Sequence, residues 1–176
     1  MASLQVKTVQ NNLKEIMIIW INGTVNSGKT TISKLLAKKI ENTAHIEVDK
    51  LREFIEFMSL SDEVIEISLN NAIAVAKNFL TEGFNVIISY PLSMKNYDKI
   101  AKEFANLPDK MVVITLSPRL ESVLKNRGSR ELNEWEIERI KHHYSIGLNI
   151  PKFPSLLIDN SDQTPEETVD EILKHL

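Results

Sequence analysis

Residues 21 to 31 read INGTVNSGKTT, and no other stretch constrains the chain as much. From Gly23 to Thr30 they match the spacing G-x-x-x-x-G-K-[ST], in which each fixed position has a physical task. Gly23 and Gly28 allow positive φ and close approach. The backbone N–H groups across Thr24, Val25, Asn26 and Ser27 can then turn inward around a phosphate. Lys29 places a point charge on β- and γ-phosphates. Thr30 offers a hydroxyl to Mg²⁺, and the helix opening at Thr30 and Thr31 points its positive dipole end at the same anion. The flanks agree with this reading. IMIIWIN, at 16 to 22, is near-continuously apolar, as a strand buried on both faces must be. KTTISKLLAKKIE, from 29, carries Ile32, Leu35, Leu36 and Ile40 on one helical stripe. A glycine loop between a buried strand and a helix implies nucleotide binding, with ATP and Mg²⁺ as the cofactors, rather than an ordinary turn.

Short apolar runs alternate with longer amphipathic ones along the rest of the chain, the signature of parallel strands joined by crossover helices. HIEV at 45 to 48 reads as a second strand and LREFIEFMSL at 51 to 60 as a short helix. From Asp62 to Thr81 runs the longest helical pattern, with Ile65, Leu69, Ile73, Ala76 and Leu80 on its stripe and a glycine at 83 to end it. NVIIS at 85 to 89, KMVVITL at 110 to 116 and SLLID at 155 to 159 complete five strands. The last helix opens at TPEE, where Thr164 caps, Pro165 suits the first turn and Glu167 completes a capping box. The expected architecture is one three-layer α/β/α domain over residues 16 to 176, behind a polar and flexible extension at 1 to 15.

Composition narrows the function. With 176 residues and 43% hydrophobic content, the chain has material for one full core. The net charge of −3, with both signs interspersed, gives no basic stripe for duplex nucleic acid. The absence of cysteine excludes disulfides, zinc–thiolate sites and thiol catalysis. The first residues lack a secretory apolar region, and the run from Ile16 to Ile21 is far short of the roughly 20 residues a membrane span needs. A cytoplasmic protein with no membrane partner is expected. Oligomeric state is left open.

MIIWINGTVNSGKT, VDKL at 48 to 51, NRGSR at 126 to 130 and LLIDNSDQTPEETVDEI near the end together resemble the chloramphenicol phosphotransferase and tunicamycin-resistance family of small P-loop proteins. The resemblance spans about residues 16 to 172. It implies a P-loop fold with sheet order 2-3-1-4-5, and transfer of the γ-phosphate of ATP to a hydroxyl of a small molecule, antibiotics included. By the same match Asp49 is implied as the base that takes the acceptor's proton. Its position just beyond a strand end suits a ligand site, although aspartate also serves as a helix N-cap. Arg127 and Arg130 fall where such kinases carry a lid. Arg130 would close on the transferring phosphate and Arg127 on the nucleotide, the alternative being two solvated arginines at a helix end.

One departure stands out. After strand three, where many P-loop enzymes have an aspartate near Mg²⁺, this chain has Ser89 and Tyr90. Either Asp49 shares the metal's outer shell or Ser89 serves through water, or turnover is weak. Tyr90, Asn96 and Tyr97 are candidates to line an acceptor pocket. Phe54, Phe57 and Met58 read as core, or as an apolar wall of that pocket. Arg52 reads as solvated more readily than as a ligand. His142 and His143 have no further Cys or His at metal spacing and read as ordinary helix residues. Two rivals to the small-molecule kinase are a nucleoside or nucleotide kinase, and a nucleotide-binding switch or resistance protein with little turnover. Residues 45 to 100 supply just one arginine, Arg52, for an acceptor phosphate.

Overall fold

The computed structural model describes residues 15–56, 60–107, 109–125 and 131–176. Five parallel strands form one sheet in the order β2-β3-β1-β4-β5. They are β1 (Met17–Gly23), β2 (Thr43–Glu47), β3 (Asn85–Ser89), β4 (Lys110–Leu116) and β5 (Leu156–Ile158). The helices are α1 (Lys29–Lys39), α2 (Val48–Arg52), α3 (Asp62–Thr81), α4 (Met94–Glu103), α5 (Leu120–Val123), α6 (Glu134–Ser145) and α7 (Pro165–Leu173). Apart from Glu15, the polar extension lies outside the described residues, as do Phe57 and Met58.

The central strand shows why its sequence is apolar throughout. Ile18 and Trp20 point into a core shared with Leu69, Ile73 and Leu80 of α3 and Ile100 of α4. Ile19 and Ile21 point the other way, into a core with Ile32 and Leu36 of α1 and Val169 and Ile172 of α7. Alternate side chains of one strand thus fill two layers. Helix α3 is held at its start by the Ser61 hydroxyl, which accepts from the Val64 N–H at 3.3 Å. The capping box at Thr164 and Glu167 is present, with Pro165 in the first turn of α7.

The main departures from expectation lie around α2. Val48 leaves β2 and begins α2, and α2 ends at Arg52 instead of continuing toward residue 60. Only about one turn forms because the aromatic and β-branched residues that follow, Phe54 and Ile55, are poor helix propagators. Phe54 is 80% exposed, so it belongs neither to the core nor to a cavity wall.

Two β1 side chains pin the loop that leaves β3. The Trp20 indole N–H donates to the Tyr90 carbonyl at 2.9 Å. The buried Asn22 accepts from the Leu92 N–H at 2.8 Å and donates to the Thr115 hydroxyl of β4 at 3.0 Å.

Candidate nucleotide and acceptor site

At the carboxyl end of β1 the chain makes the turn that its glycines permit. Gly23 has φ +146°, and a Cβ there would stand 2.6 Å from the Ser27 hydroxyl and 2.9 Å from the Leu116 carbonyl. Gly28, at φ +96°, is the left-handed residue that opens α1. Asn26 is also left-handed, at φ 60°, a conformation asparagine tolerates.

Three tethers hold this loop. The Asn26 amide donates to the carbonyls of Val123 and Lys125 at 2.8 and 2.9 Å. Asn160, between β5 and α7, donates to the Ser27 carbonyl at 3.0 Å. The Thr24 hydroxyl meets Nδ1 of His143, on α6, at 2.9 Å. Gly23, Thr24 and Ser27 lie beneath the surface, while Val25, Asn26, Gly28, Lys29, Thr30 and Thr31 line a cavity of about 1000 Å³. Arg127 and Arg130 lie outside the described residues.

Lys29 rests its ammonium on the Thr24 carbonyl at 2.7 Å. Burial lowers its pKa to about 8, opposed by the negative charge of Asp49. The loop lysine and the candidate base therefore lie within each other's field.

The missing carboxylate after β3 has a neighbour that supplies one. Glu47, at the end of β2, pairs in register with Ser89, and both line the cavity. Burial alone would raise the Glu47 pKa. The hydrogen bond and charge of Lys34, 2.8 Å away, together with the His45 charge and a hydrogen bond from Thr30, hold it below the ordinary carboxylate range. A hydroxyl and an ionised carboxylate side by side are hard oxygen donors that suit Mg²⁺. Among the described residues no cluster of three or more His, Asp or Glu forms a self-sufficient metal cage. A cation here would take its remaining ligands from phosphate oxygens and water.

The other end of the cavity is built by α2, α6 and the loop after β3. Asp49 is not the cap of α2, since that position belongs to Glu47. It stands in the first turn and pairs with Arg52 at 3.1 Å. Arg52, read from the sequence as solvated, lines the cavity. Tyr90 lines it too, and its pKa is raised by burial and by the Asp49 charge, against Arg52 and Arg139. Three charged groups thus converge on one phenol. The Arg139 guanidinium lies 6.0 Å from the centre of the Trp135 ring. Among the described residues, no carboxylate stands within ion-pair distance of Arg139. Tyr97 stacks on Phe153 at 4.5 Å, and neither it nor Asn96 reaches the cavity.

Sequence reasoning missed Glu47, Trp135, Arg139 and His143. For the last three the signal was present: they stand four residues apart on one helix, a spacing that puts them on one face.

No protein-family model matches the chain. It is 28% identical over 173 residues to the shikimate kinase of Sulfurihydrogenibium sp. (strain YO3AOP1), covering 88% of this chain and 95% of that one. It is 30% identical over 172 residues to a protein carrying the name adenylate kinase in Thermococcus gammatolerans, covering 90% of this chain and 84% of the relative. In fold it is similar to a sugar kinase from Janibacter sp. HTCC2649, with TM-score 0.67 at 18% identity over 92% of this chain and 94% of that one. A chain of the Pnkp1/Rnl/Hen1 RNA repair complex matches with TM-score 0.64 at 18% identity over 85% of this chain, which spans 50% of that larger neighbour.

Proposed function

The chain belongs to the P-loop kinases of small molecules and nucleotides, and from that premise we propose that it moves the γ-phosphate of ATP to a hydroxyl of a small molecule bound beside Asp49. The observation that carries this reading is that Asp49 and Lys29 open into one cavity and feel each other's charge. Phosphoryl transfer asks mainly for positioning and charge neutralisation. Lys29 and the loop amides hold the phosphates. Asp49 takes the acceptor's proton as its oxygen attacks, with Arg52, 3.1 Å away, orienting the carboxylate. Thr30 and Glu47 would hold Mg²⁺, which when bound would neutralise charge on the phosphate oxygens. Arg127 and Arg130 keep the parts given them by the resemblance, on the nucleotide and the transferring phosphate. Glu47 answers the main argument for a slow switch, the lack of a carboxylate after strand three.

A second reading concerns the acceptor. The chloramphenicol phosphotransferase resemblance implies a hydroxylated antibiotic. Arg139 adds the second arginine that residues 45 to 100 lack, and the two cations beside Tyr90 favour an acceptor carrying a carboxylate or phosphate. A nucleoside monophosphate has that chemistry, with a base for Trp135 to stack on. ADP release measured with Mg·ATP against neutral hydroxylated antibiotics, hydroxy acids and nucleoside monophosphates tests both readings. Stimulation by an anionic acceptor supports the second. ATP binding with no stimulation by any class would overturn transfer in favour of the switch.

A further inference from the structure

We propose that His143 is a phosphate ligand: one ring nitrogen, Nδ1, holds the nucleotide loop, and the other, Nε2, donates a hydrogen bond to the γ-phosphate of bound ATP. This rests on the reading that the loop binds nucleotide, and it adds a neutral donor to the cations which that reading already uses.

Trp135, Arg139 and His143 stand four residues apart on α6 and all line the cavity. Trp135 is 58% exposed and His143 3%, so this face of the helix runs inward and His143 stands at its inner end. Its Nδ1 lies 2.9 Å from the Thr24 hydroxyl, while the Lys29 ammonium lies 2.7 Å from the Thr24 carbonyl. Imidazole and ammonium thus flank one residue of the loop. Lys29 serves the β- and γ-phosphates, and Arg139, one turn further out and about 6 Å along the axis, belongs to the acceptor end. The charges of both are felt at the ring between them. In a transfer site the group that stands between nucleotide and acceptor is the γ-phosphate.

The place of the ring hydrogen follows from the partners. Thr24 is fully buried, and among the described residues its hydroxyl has no hydrogen-bond partner but Nδ1. A buried hydroxyl hydrogen without an acceptor is costly, so Thr24 donates and Nδ1 accepts. In a neutral ring the hydrogen is then on Nε2. Burial first, then the charges of Arg139, Lys29 and His142, lower the His143 pKa to about 4, which keeps the ring neutral at pH 7. Nε2 has no hydrogen-bond partner among the described residues, and unlike Nε2 of His45 it is not sealed in. The open space that the ring lines is the cavity. An N–H fixed there by a buried tether meets the charge that spreads over the γ-phosphoryl oxygens during transfer, with no reorganisation.

Two substitutions separate the nitrogens. Asparagine can offer its amide oxygen near the Nδ1 position but has no atom at Nε2, whereas glutamine brings its amide nitrogen near the Nε2 position. Calorimetry on wild type, His143→Asn and His143→Gln compares Mg·ADP with Mg·AMP-PNP, which differ by the γ-phosphate. His143→Asn should weaken AMP-PNP binding about 10- to 100-fold, the loss of one hydrogen bond to a charged group, and leave ADP near wild type. His143→Gln should recover most of that loss. Equal weakening of both nucleotides in His143→Asn, or full AMP-PNP affinity there, would reduce His143 to a loop tether. Wild type supplies a test that does not depend on how the variants fold. Proton–nitrogen NMR spectra of the histidine rings at pH 7 should show His143 as the Nε2–H tautomer, its Nε2 signal moving more with Mg·AMP-PNP than with Mg·ADP. The Nδ1–H tautomer, or identical responses to the two nucleotides, would overturn the contact alone. If wild type binds neither nucleotide, the loop reading falls and the contact with it.

Discussion

On the nucleotide side of the cavity the loop is gripped from beneath: Asn160 and His143 are buried, and the Asn26 amide spans two carbonyls. On the acceptor side Asp49 and Arg52 hold each other with side chains 57% and 37% exposed, and Arg139 leans on an exposed tryptophan. Exposed ion pairs are worth roughly 0.2–1 kcal/mol, so an acceptor can exchange them for its own contacts at small cost. Buried tethers cannot be exchanged so cheaply. One half of the site is set before any ligand arrives, and the other is set by what it binds.

Substitutions can break this comparison at either end. The largest effect is expected for Lys29→Ala, with loss of Mg·ATP affinity in the calorimeter and a fall in turnover of roughly 10³ or more, because phosphate charge loses its partner in the loop. Unchanged affinity and turnover would remove the nucleotide assignment. Next comes Asp49→Asn, which should lower kcat by roughly 10² to 10⁴. Mg·ATP affinity and the thermal midpoint should stay near wild type, since the carboxylate caps no helix and its ion pair is exposed. Normal kcat in that variant would move the base elsewhere. Arg139→Ala should raise KM for an anionic acceptor by about 10- to 100-fold, the cost of a charge-assisted contact of about 1.5–3 kcal/mol. Its KM for Mg·ATP should be unchanged, and equal effects on both substrates would blur the division between the halves.

The smallest effect is a pH slope. His143 titrates near 4 in the folded chain against 6.5 ordinarily, because burial and nearby cations disfavour its charged form. Between those values the unfolded chain binds the proton and the folded one does not, so this contribution to stability is lost as pH falls from 6.5 toward 4. Urea midpoints of His143→Gln should fall less steeply across that window than those of wild type.

The glycine loop was legible in the sequence because its ligating groups are contiguous and its backbone demands are local. So was α3, whose stripe and terminal Gly83 lie within its own stretch, and β3 and β4 fall where their apolar runs do. The acceptor end was not. Glu47 stands beside Ser89 through strand pairing alone, and Arg139 lines the same cavity as Arg52 from a helix far along the chain. Arg52 looked solvated because a single arginine on a short helix more often is, and nothing in its own stretch shows the cavity that it lines. Short range also misled at Phe54, where an apolar pattern suggested core but α2 ends before reaching it.

The bonds from β1 to the loop after β3 bear on how such a site diversifies. Trp20 takes the carbonyl of Tyr90 and Asn22 the amide of Leu92, so the sheet's middle strand grips backbone on both sides of Pro91 and makes no claim on the side chains at 90 and 91. Those two positions line the cavity, and the hydrogen bonds that hold the loop use backbone and not their side chains, although Tyr90 also packs against the core around Trp20. Tyr90 and Pro91 can be exchanged to suit a different acceptor while the phosphate loop, at the end of the neighbouring strand, stays where it is. Replacing Trp20 or Asn22 instead would unfasten the wall itself, so the route to new specificity runs through the ligand-facing side chains and leaves their anchors alone.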